Sequence, residues 1–135
     1  MRLQRLFQPF QINQMTVKNR LAMTAMHLLY TEDGSVNQRT KDFYLARAKG
    51  GVGMIIAGGA PANPYIGYSH MLRMDDDRFI PGWRDLADAV HAYDCKLCVQ
   101  FLTPGRYGRK ECVEGDDNLL SASDVFARMT GTTPG

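Results

Sequence analysis

The sequence predicts an α/β fold with a parallel sheet, and three observations predict it. Apolar runs typical of strands occur at residues 20–26, 52–59 and 95–102, and each run is separated from the next by a helical pattern. A hairpin pattern, in which apolar and polar residues alternate around Asn13 and Gln14, precedes the first run. Strands that alternate with helices pair in parallel through right-handed crossovers.

The two helical patterns have clear boundaries. The first, "RTKDFYLARAKGG", consists of helix formers and ends at a glycine pair, which is typical of a helix C-terminus. The second, "IPGWRDLADAVHAYD", begins with a proline suited to a first turn. Its apolar residues recur at i, i+3, i+4 and i+7 and predict one buried stripe, formed by Trp83, Leu86, Ala87 and Val90.

The composition limits the classes of function. The 135 residues are 44% hydrophobic and 22% charged, with a net charge of +2 that no segment concentrates into a basic stripe. We therefore expect neither a nucleic-acid nor a membrane partner. No window approaches the roughly 20 apolar residues of a membrane helix. The odd count of three cysteines favours a reducing compartment, and we expect a cytoplasmic protein.

The stretch "GGVGMIIAGGAPANP" has a glycine cluster on each side of a short apolar run. The unbroken run predicts a strand that is buried on both faces. The first cluster ends the preceding helix, whereas Gly58 and Gly59 require a sharp turn or a close approach to the backbone. The G-x-G-x-x-G fingerprint is missing after the first strand, which weakens a Rossmann interpretation and leaves a partial barrel open.

Other reactive residues are interpreted without chemistry. Cys95 and Cys98 form a C-x-x-C spacing, but no second pair completes a zinc site, so we expect ordinary buried or half-buried thiols. Cys98 and Gln100 are two residues apart, so we expect both on the same face of their strand. The run Asp75–Asp77 predicts a solvated acidic loop rather than a metal site. His91 lies at the edge of the second helix and receives no role.

Four segments together resemble the old yellow enzyme family, in order and with similar spacing: "LFQPFQINQMTVKNRLAMTAMH", "RAKGGVGMIIAGGA", "IPGWRDLADAVHAYDCKLCVQFL" and "GRYGR". Its members are oxidoreductases that bind flavin mononucleotide (FMN) on a (β/α)8 barrel, and the branch most similar here contains 2,4-dienoyl-CoA reductases. The resemblance implies that residues 1–135 are the N-terminal part of such a TIM barrel. This part comprises a hairpin and about three βα units, truncated, with no second domain within the chain.

The resemblance also implies a flavin-binding set at the carboxyl ends of the strands. Thr24, Ala25, Met26 and His27 match positions that line the flavin. The Thr24 hydroxyl is placed near the reactive edge of the ring, Met26 is expected to serve packing, and His27 is expected to tune the flavin through a hydrogen bond. Gly58 and Gly59 are expected to let the backbone approach the ring face.

Gln100 joins this set on two grounds. Its amide lies inside an apolar strand, where burial is unfavourable unless the donor and acceptor are both paired, and a flavin pyrimidine edge offers such a pair. The resemblance places a flavin-contacting glutamine at the same position. We expect Gln100 at the carboxyl end of the central strand, directed into the barrel. The chain departs from the family at Thr103, where many members have histidine.

The implied activity is hydride transfer from NADH or NADPH through FMN to an activated alkene, such as an enone or an enoyl or dienoyl thioester. The implied partner is this unsaturated carbonyl substrate, and a homo-oligomer is possible. No residue here matches the catalytic acid, which later strands supply in the family. Two alternatives stay open: another FMN barrel, of the hydroxy-acid oxidase or dihydroorotate dehydrogenase type, or a non-catalytic partial barrel that assembles with a complementary chain through its open sheet edges.

Overall fold

The computed structural model describes residues 3–61, 70–103, 105, 125, 126, 128 and 131. The loop predicted after Thr103, including the "GRYGR" segment, lies almost entirely outside the described residues, as does much of the loop that follows the second strand. Among the described residues, no helix has the length and apolar character needed to cross a membrane.

The order of elements agrees with the sequence prediction. The chain forms β1 Phe10–Ile12, β2 Met15–Val17, β3 Ala22–Met23, α1 Gln38–Lys49, β4 Met54–Ala60, α2 Ile80–His91 and β5 Lys96–Phe101. A short 3-10 turn, Asp77–Phe79, leads into α2. β1 and β2 pair antiparallel as the predicted hairpin. β3 is shorter than predicted, because its pairing with β4 ends at Met23.

The sheet has the order β3-β4-β5, and both pairings are parallel. Met23 lies opposite Ile55, and Ile55 lies opposite Leu97. This arrangement confirms the parallel α/β class. It also makes β4 the central strand of the three and leaves β5 at an edge.

The two faces of the sheet have different environments. Ile55 and Ala57 are fully buried and pack in one core with residues of α1 and α2. Met54 and Ile56 alternate with them along β4 and are only half-buried. The prediction that β4 is buried on both faces is therefore wrong in part: the helices pack against one face, and the other is incompletely covered by the described residues.

Each helix buries one stripe. α1 begins at the cap Asn37, whose side-chain oxygen accepts a hydrogen bond from Thr40 N–H at 2.9 Å. Its buried residues, Thr40, Tyr44 and Ala48, recur at i, i+4 and i+8. In α2 the predicted stripe is confirmed, with three members buried and Ala87 half-buried.

The acidic loop differs from its prediction at Asp75. The Asp75 side chain is only 4% exposed and forms a bidentate pair with Arg73, 2.7 Å from Nε to Oδ1 and 2.5 Å from Nη2 to Oδ2. Asp76 is exposed and caps the 3-10 turn by accepting from Arg78 N–H at 2.8 Å. Asp75 is thus a structural carboxylate, and only its two neighbours are solvated as expected.

The cysteines match the expectation of ordinary thiols. Cys95 is buried, Cys98 is half-buried, and both are free. Burial is the main cause that raises the pKa of the Cys95 thiol. Within the described part of the chain, no group of three or more histidine, cysteine or acidic side chains is placed to hold a metal.

Candidate functional site

Three of the predicted site residues meet at the carboxyl end of the sheet. Gly58 of β4 lies opposite Gln100 of β5 in the parallel register. On its other side, Gly58 forms an isolated bridge with Met26, three residues beyond the end of β3. One row of neighbouring residues therefore crosses the carboxyl end of the three-stranded sheet: Met26, Gly58 and Gln100.

His27 joins this end of the sheet. A β-carbon added to Gly59 would lie 3.2 Å from His27 Nε2, so the ring is packed close to the Gly59 backbone. The His27 side chain is nonetheless exposed. It is thus close enough to the predicted ring-facing glycines to share a site with them.

Thr24 and Ala25 occupy the stretch between the end of β3 and the Met26 bridge. Thr24 is exposed, Ala25 is half-buried, and neither lies in a strand. Among the described residues, no side-chain hydrogen bond involves Thr24. Both residues directly follow β3 in the chain, so they lie near the ends of the strands. No side-chain hydrogen bond among the described residues joins either of them to the glycine pair.

Gln100 faces the side of the sheet opposite the helices. It alternates with Val99, which packs against the helical core, and shares its face with Cys98. Cys98 Sγ lies 3.9 Å from Met54 Sδ on the same face. The amide therefore points toward the interior of the barrel that the sheet would begin to enclose.

Two expectations for Gln100 are wrong in this structure. The residue is exposed rather than buried, and it belongs to the edge strand rather than the central one. Both differences have the same cause, since among the described residues β5 has a strand neighbour on one side only. The geometric argument for Gln100 stands, whereas the argument from burial does not apply here.

Met26 is 46% exposed, so it is not part of the core formed by the described residues. Its packing role stays a prediction. The sequence does not predict the exposure of Met26, because Met26 is the last residue of an apolar run that resembles a buried strand. Its exposed thioether lies instead at the open end of the sheet.

The glycine pair has a reason within the protein itself. Gly58 has φ of +123°, and an added β-carbon would lie 2.9 Å from the Gln100 carbonyl oxygen. At Gly59 an added β-carbon would lie 2.7 Å from Leu102 Cβ. The β4–β5 register shifts between Gly58 and Ala60, so Gly59 sits in a bulge. Packing of β4 against its neighbours therefore requires both glycines, whatever else the site binds.

Tyr44 is a contributor to this end of the sheet that sequence analysis did not identify. The Gly58 backbone N–H donates to the Tyr44 hydroxyl oxygen at 3.4 Å, and the Tyr44 side chain is fully buried. Burial raises the pKa of Tyr44, while the hydrogen bond from Gly58 opposes this rise. The spacing of Thr40, Tyr44 and Ala48 was the available signal for a buried stripe on α1.

Comparison with known proteins decides the family. Residues 5–133 match the NADH:flavin oxidoreductase / NADH oxidase family. This chain belongs to that family. The resemblance to the old yellow enzymes is thereby confirmed, and so are the predicted cofactors as those of the family: FMN, with NADH or NADPH as reductant.

Two relatives of this chain show similar sequences. It is 40% identical over 129 residues to a metal reductase of Desulforamulus reducens, covering 96% of this chain and 19% of the relative. It is 38% identical over 136 residues to an NADH oxidase of Thermoanaerobacter brockii, covering 96% of this chain and 20% of the relative. The chain thus spans about a fifth of the length of these relatives.

A solved structure supports the fold. The old yellow enzyme from Trypanosoma cruzi superposes with a TM-score of 0.76 at 28% identity, over 91% of this chain and 36% of that one. The fold of this chain is accordingly the N-terminal portion of a TIM barrel, as predicted.

The residues at the sheet end fit the chemistry of a flavin. An isoalloxazine ring has apolar faces and one edge of alternating hydrogen-bond donors and acceptors. Gln100 offers an exposed amide with both functions, and the Thr24 hydroxyl and His27 ring add polar groups that are also exposed. Met26 supplies an exposed apolar surface beside them. This donor set suits a planar, polar-edged cofactor.

Proposed function

We propose that residues 1–135 are the N-terminal part of one FMN-binding barrel domain in an oxidoreductase of the old yellow enzyme type. The proposed reaction carries a hydride from NADH or NADPH through FMN to an activated alkene, such as an enone or an enoyl or dienoyl thioester. The reductant and this substrate are the proposed partners, and the proposed location is the cytoplasm. Self-association is part of the same proposal.

The row of Met26, Gly58 and Gln100 is the observation that carries this proposal. It lies at the carboxyl ends of parallel strands, on the side of the sheet away from α1 and α2. TIM-barrel enzymes build their active sites at the carboxyl ends of the strands. A cofactor placed there would contact residues from all three strands of this chain.

Each residue of the site has a task in binding and orientation. Gln100 would donate to and accept from the polar edge of the flavin, which fixes the ring in its plane. Thr24 and His27 would add hydrogen bonds along the ring, and the latter would adjust its reduction potential. Gly58 and Gly59 keep the backbone free of side chains beside it. A bound flavin would supply the chemistry of hydride transfer between the reductant and the substrate.

We assign the residue that protonates the substrate to a part of the protein outside this set. In the old yellow enzyme family the acid comes from later strands, and no residue of this chain matches it. We therefore propose that the acid comes from strands beyond those described, and that this chain binds and orients the cofactor. The reductant, in turn, needs access from the open side of the sheet.

Replacing the amide of Gln100 tests the proposal. Gln100→Leu removes both hydrogen-bonding groups at similar size, and FMN should then bind about 5- to 150-fold more weakly, which corresponds to about 1–3 kcal/mol. The measurement is the dissociation constant for FMN, from quenching of flavin fluorescence, in the full protein that carries this chain.

A matched control is available at the opposite end of the chain. Gln14 is an exposed glutamine in the β1–β2 turn, and Gln14→Leu should leave FMN affinity unchanged. Circular dichroism would verify that each variant is folded. Equal FMN affinity in wild type and folded Gln100→Leu would contradict the proposed role of Gln100.

A further inference from the structure

A small cavity adjoins both the glycine pair and the start of α1. Its wall is formed by the first turns of α1, the segment after Met26, the end of β4 and the segment before the 3-10 turn. The residues that line it include Thr40, Gly58, Gly59, His27, Leu28 and His70. Its volume is about 10 Å³. This is close to the smallest volume that admits one water molecule, about 10–15 Å³.

Thr40 is one of the residues that line this cavity. Thr40 is 1% exposed, and its Oγ1 has no hydrogen-bond partner among the described residues. Burying a hydroxyl without a partner is unfavourable. Native proteins satisfy most such groups through the protein or through an ordered water.

His70 supplies a second polar group to the same wall. Its Nδ1 lies 2.9 Å from the Thr31 carbonyl oxygen, and because a carbonyl only accepts, Nδ1 carries the proton of this bond. In the neutral ring, Nε2 is then a hydrogen-bond acceptor. The peptide groups of Leu28, also in the wall, make no hydrogen bond with any described residue. The cavity therefore offers the two or more polar partners that a buried water needs.

We propose that this cavity is a binding site for a single water molecule, held by the Thr40 hydroxyl and the His70 ring. The water links the start of α1 to the segment that precedes the 3-10 turn, beside Gly58 and Gly59. The ligand class follows from the small volume and from the Thr40 hydroxyl, which has no partner among the described residues. The proposal does not rest on the proposed flavin function, because neither Thr40 nor His70 belongs to the proposed flavin-binding set.

The site is tested by whether one substitution, Thr40→Val, lowers or raises the melting temperature. Thr40→Val keeps the shape of the side chain and removes the hydroxyl. If Oγ1 binds a water, the variant loses that hydrogen bond and its melting temperature falls by about 3–8 °C. If Oγ1 is unpaired and the cavity is empty, the variant removes a buried unsatisfied group, and its melting temperature is unchanged or rises.

Two further variants calibrate this measurement. Thr31 is equally buried, and its hydroxyl has partners in the protein: it donates to Asp33 Oδ1 and accepts from Gly34 N–H, both at 3.0 Å. Thr31→Val must therefore lower the melting temperature in the same assay. Thr40→Ser retains the hydroxyl and should retain the water.

A high-resolution crystal structure of the purified protein provides the direct readout. The expected result is an ordered water within about 3 Å of Thr40 Oγ1 in the wild type and in Thr40→Ser, with none in Thr40→Val. Absence of that water from the wild type would overturn the proposal. An unchanged or higher melting temperature of Thr40→Val, beside a lowered one for Thr31→Val, would overturn it as well.

Discussion

The Tyr44 hydroxyl accepts a hydrogen bond from the backbone N–H of Gly58 at 3.4 Å, which ties α1 to the carboxyl end of β4. Tyr44 is fully buried, and Gly58 is the central member of the row that crosses the three strands. A helix on one face of the sheet thus holds the backbone of the candidate site on the other.

Removing this hydroxyl should destabilise the protein. Tyr44→Phe leaves the buried Gly58 N–H without its acceptor, and we expect a loss of about 1–2 kcal/mol in the free energy of unfolding. Urea denaturation followed by circular dichroism measures it. Tyr93→Phe is the matched control, because Tyr93 is 41% exposed, and it should change stability by less than about 0.5 kcal/mol. A Tyr44→Phe variant as stable as the wild type would show that this hydrogen bond does not contribute to the free energy of unfolding.

Gly58→Ala should be more destabilising than a glycine substitution elsewhere with a similar backbone. Both Gly58, with φ of +123°, and Gly51, with φ of +95°, have conformations that L side chains rarely adopt. An added β-carbon at Gly51 meets nothing within 4 Å, whereas at Gly58 it would lie 2.9 Å from a backbone oxygen. We expect a loss of about 1 kcal/mol for Gly51→Ala and about 2–4 kcal/mol for Gly58→Ala.

Thermal and urea unfolding of the two alanine variants check this difference. The excess loss in Gly58→Ala over Gly51→Ala reports the steric conflict with β5 rather than the backbone angle. Equal losses in the two variants would mean that β5 moves away without cost, and the packing reason given for Gly58 would then fail.

Asp75 should make stability depend on acid pH. The hydrogen bonds from Arg73 hold the pKa of Asp75 below its ordinary value of 3.8 in the folded protein. The unfolded chain therefore takes up the proton at higher pH than the folded one. The stabilisation is fully present well above pH 3.8 and is lost as the pH falls through this value toward the lower folded pKa.

Asp75→Asn provides the measurement. The variant should be less stable than the wild type by about 1–2 kcal/mol at pH 7, and the difference should shrink between about pH 5 and pH 2.5. Asp85 is the control, because its pair with Lys41 is at the surface, with the Asp85 side chain 65% exposed, and Asp85→Asn should have little effect at any pH. A difference for Asp75→Asn that stays constant down to pH 2.5 would contradict the assigned pKa.

Local sequence patterns were sufficient for much of the fold. The alternation around Asn13 predicted the hairpin, and the stripe from Trp83 to Val90 predicted α2, because both depend on the fixed periods of strands and helices. The apolar runs gave β4 and β5 nearly to their observed bounds. The family resemblance, which no single pattern supports, added the candidate residues at the ends of these strands.

Only the tertiary structure decided which faces and edges these elements present. Gln100 is exposed because β5 lies at an edge of the described sheet. The bond between Tyr44 and Gly58 joins residues from different elements. A periodic pattern predicts which side chains of an element share one face. The packing of segments that are distant in the sequence determines which residues that face contacts, or whether it is exposed.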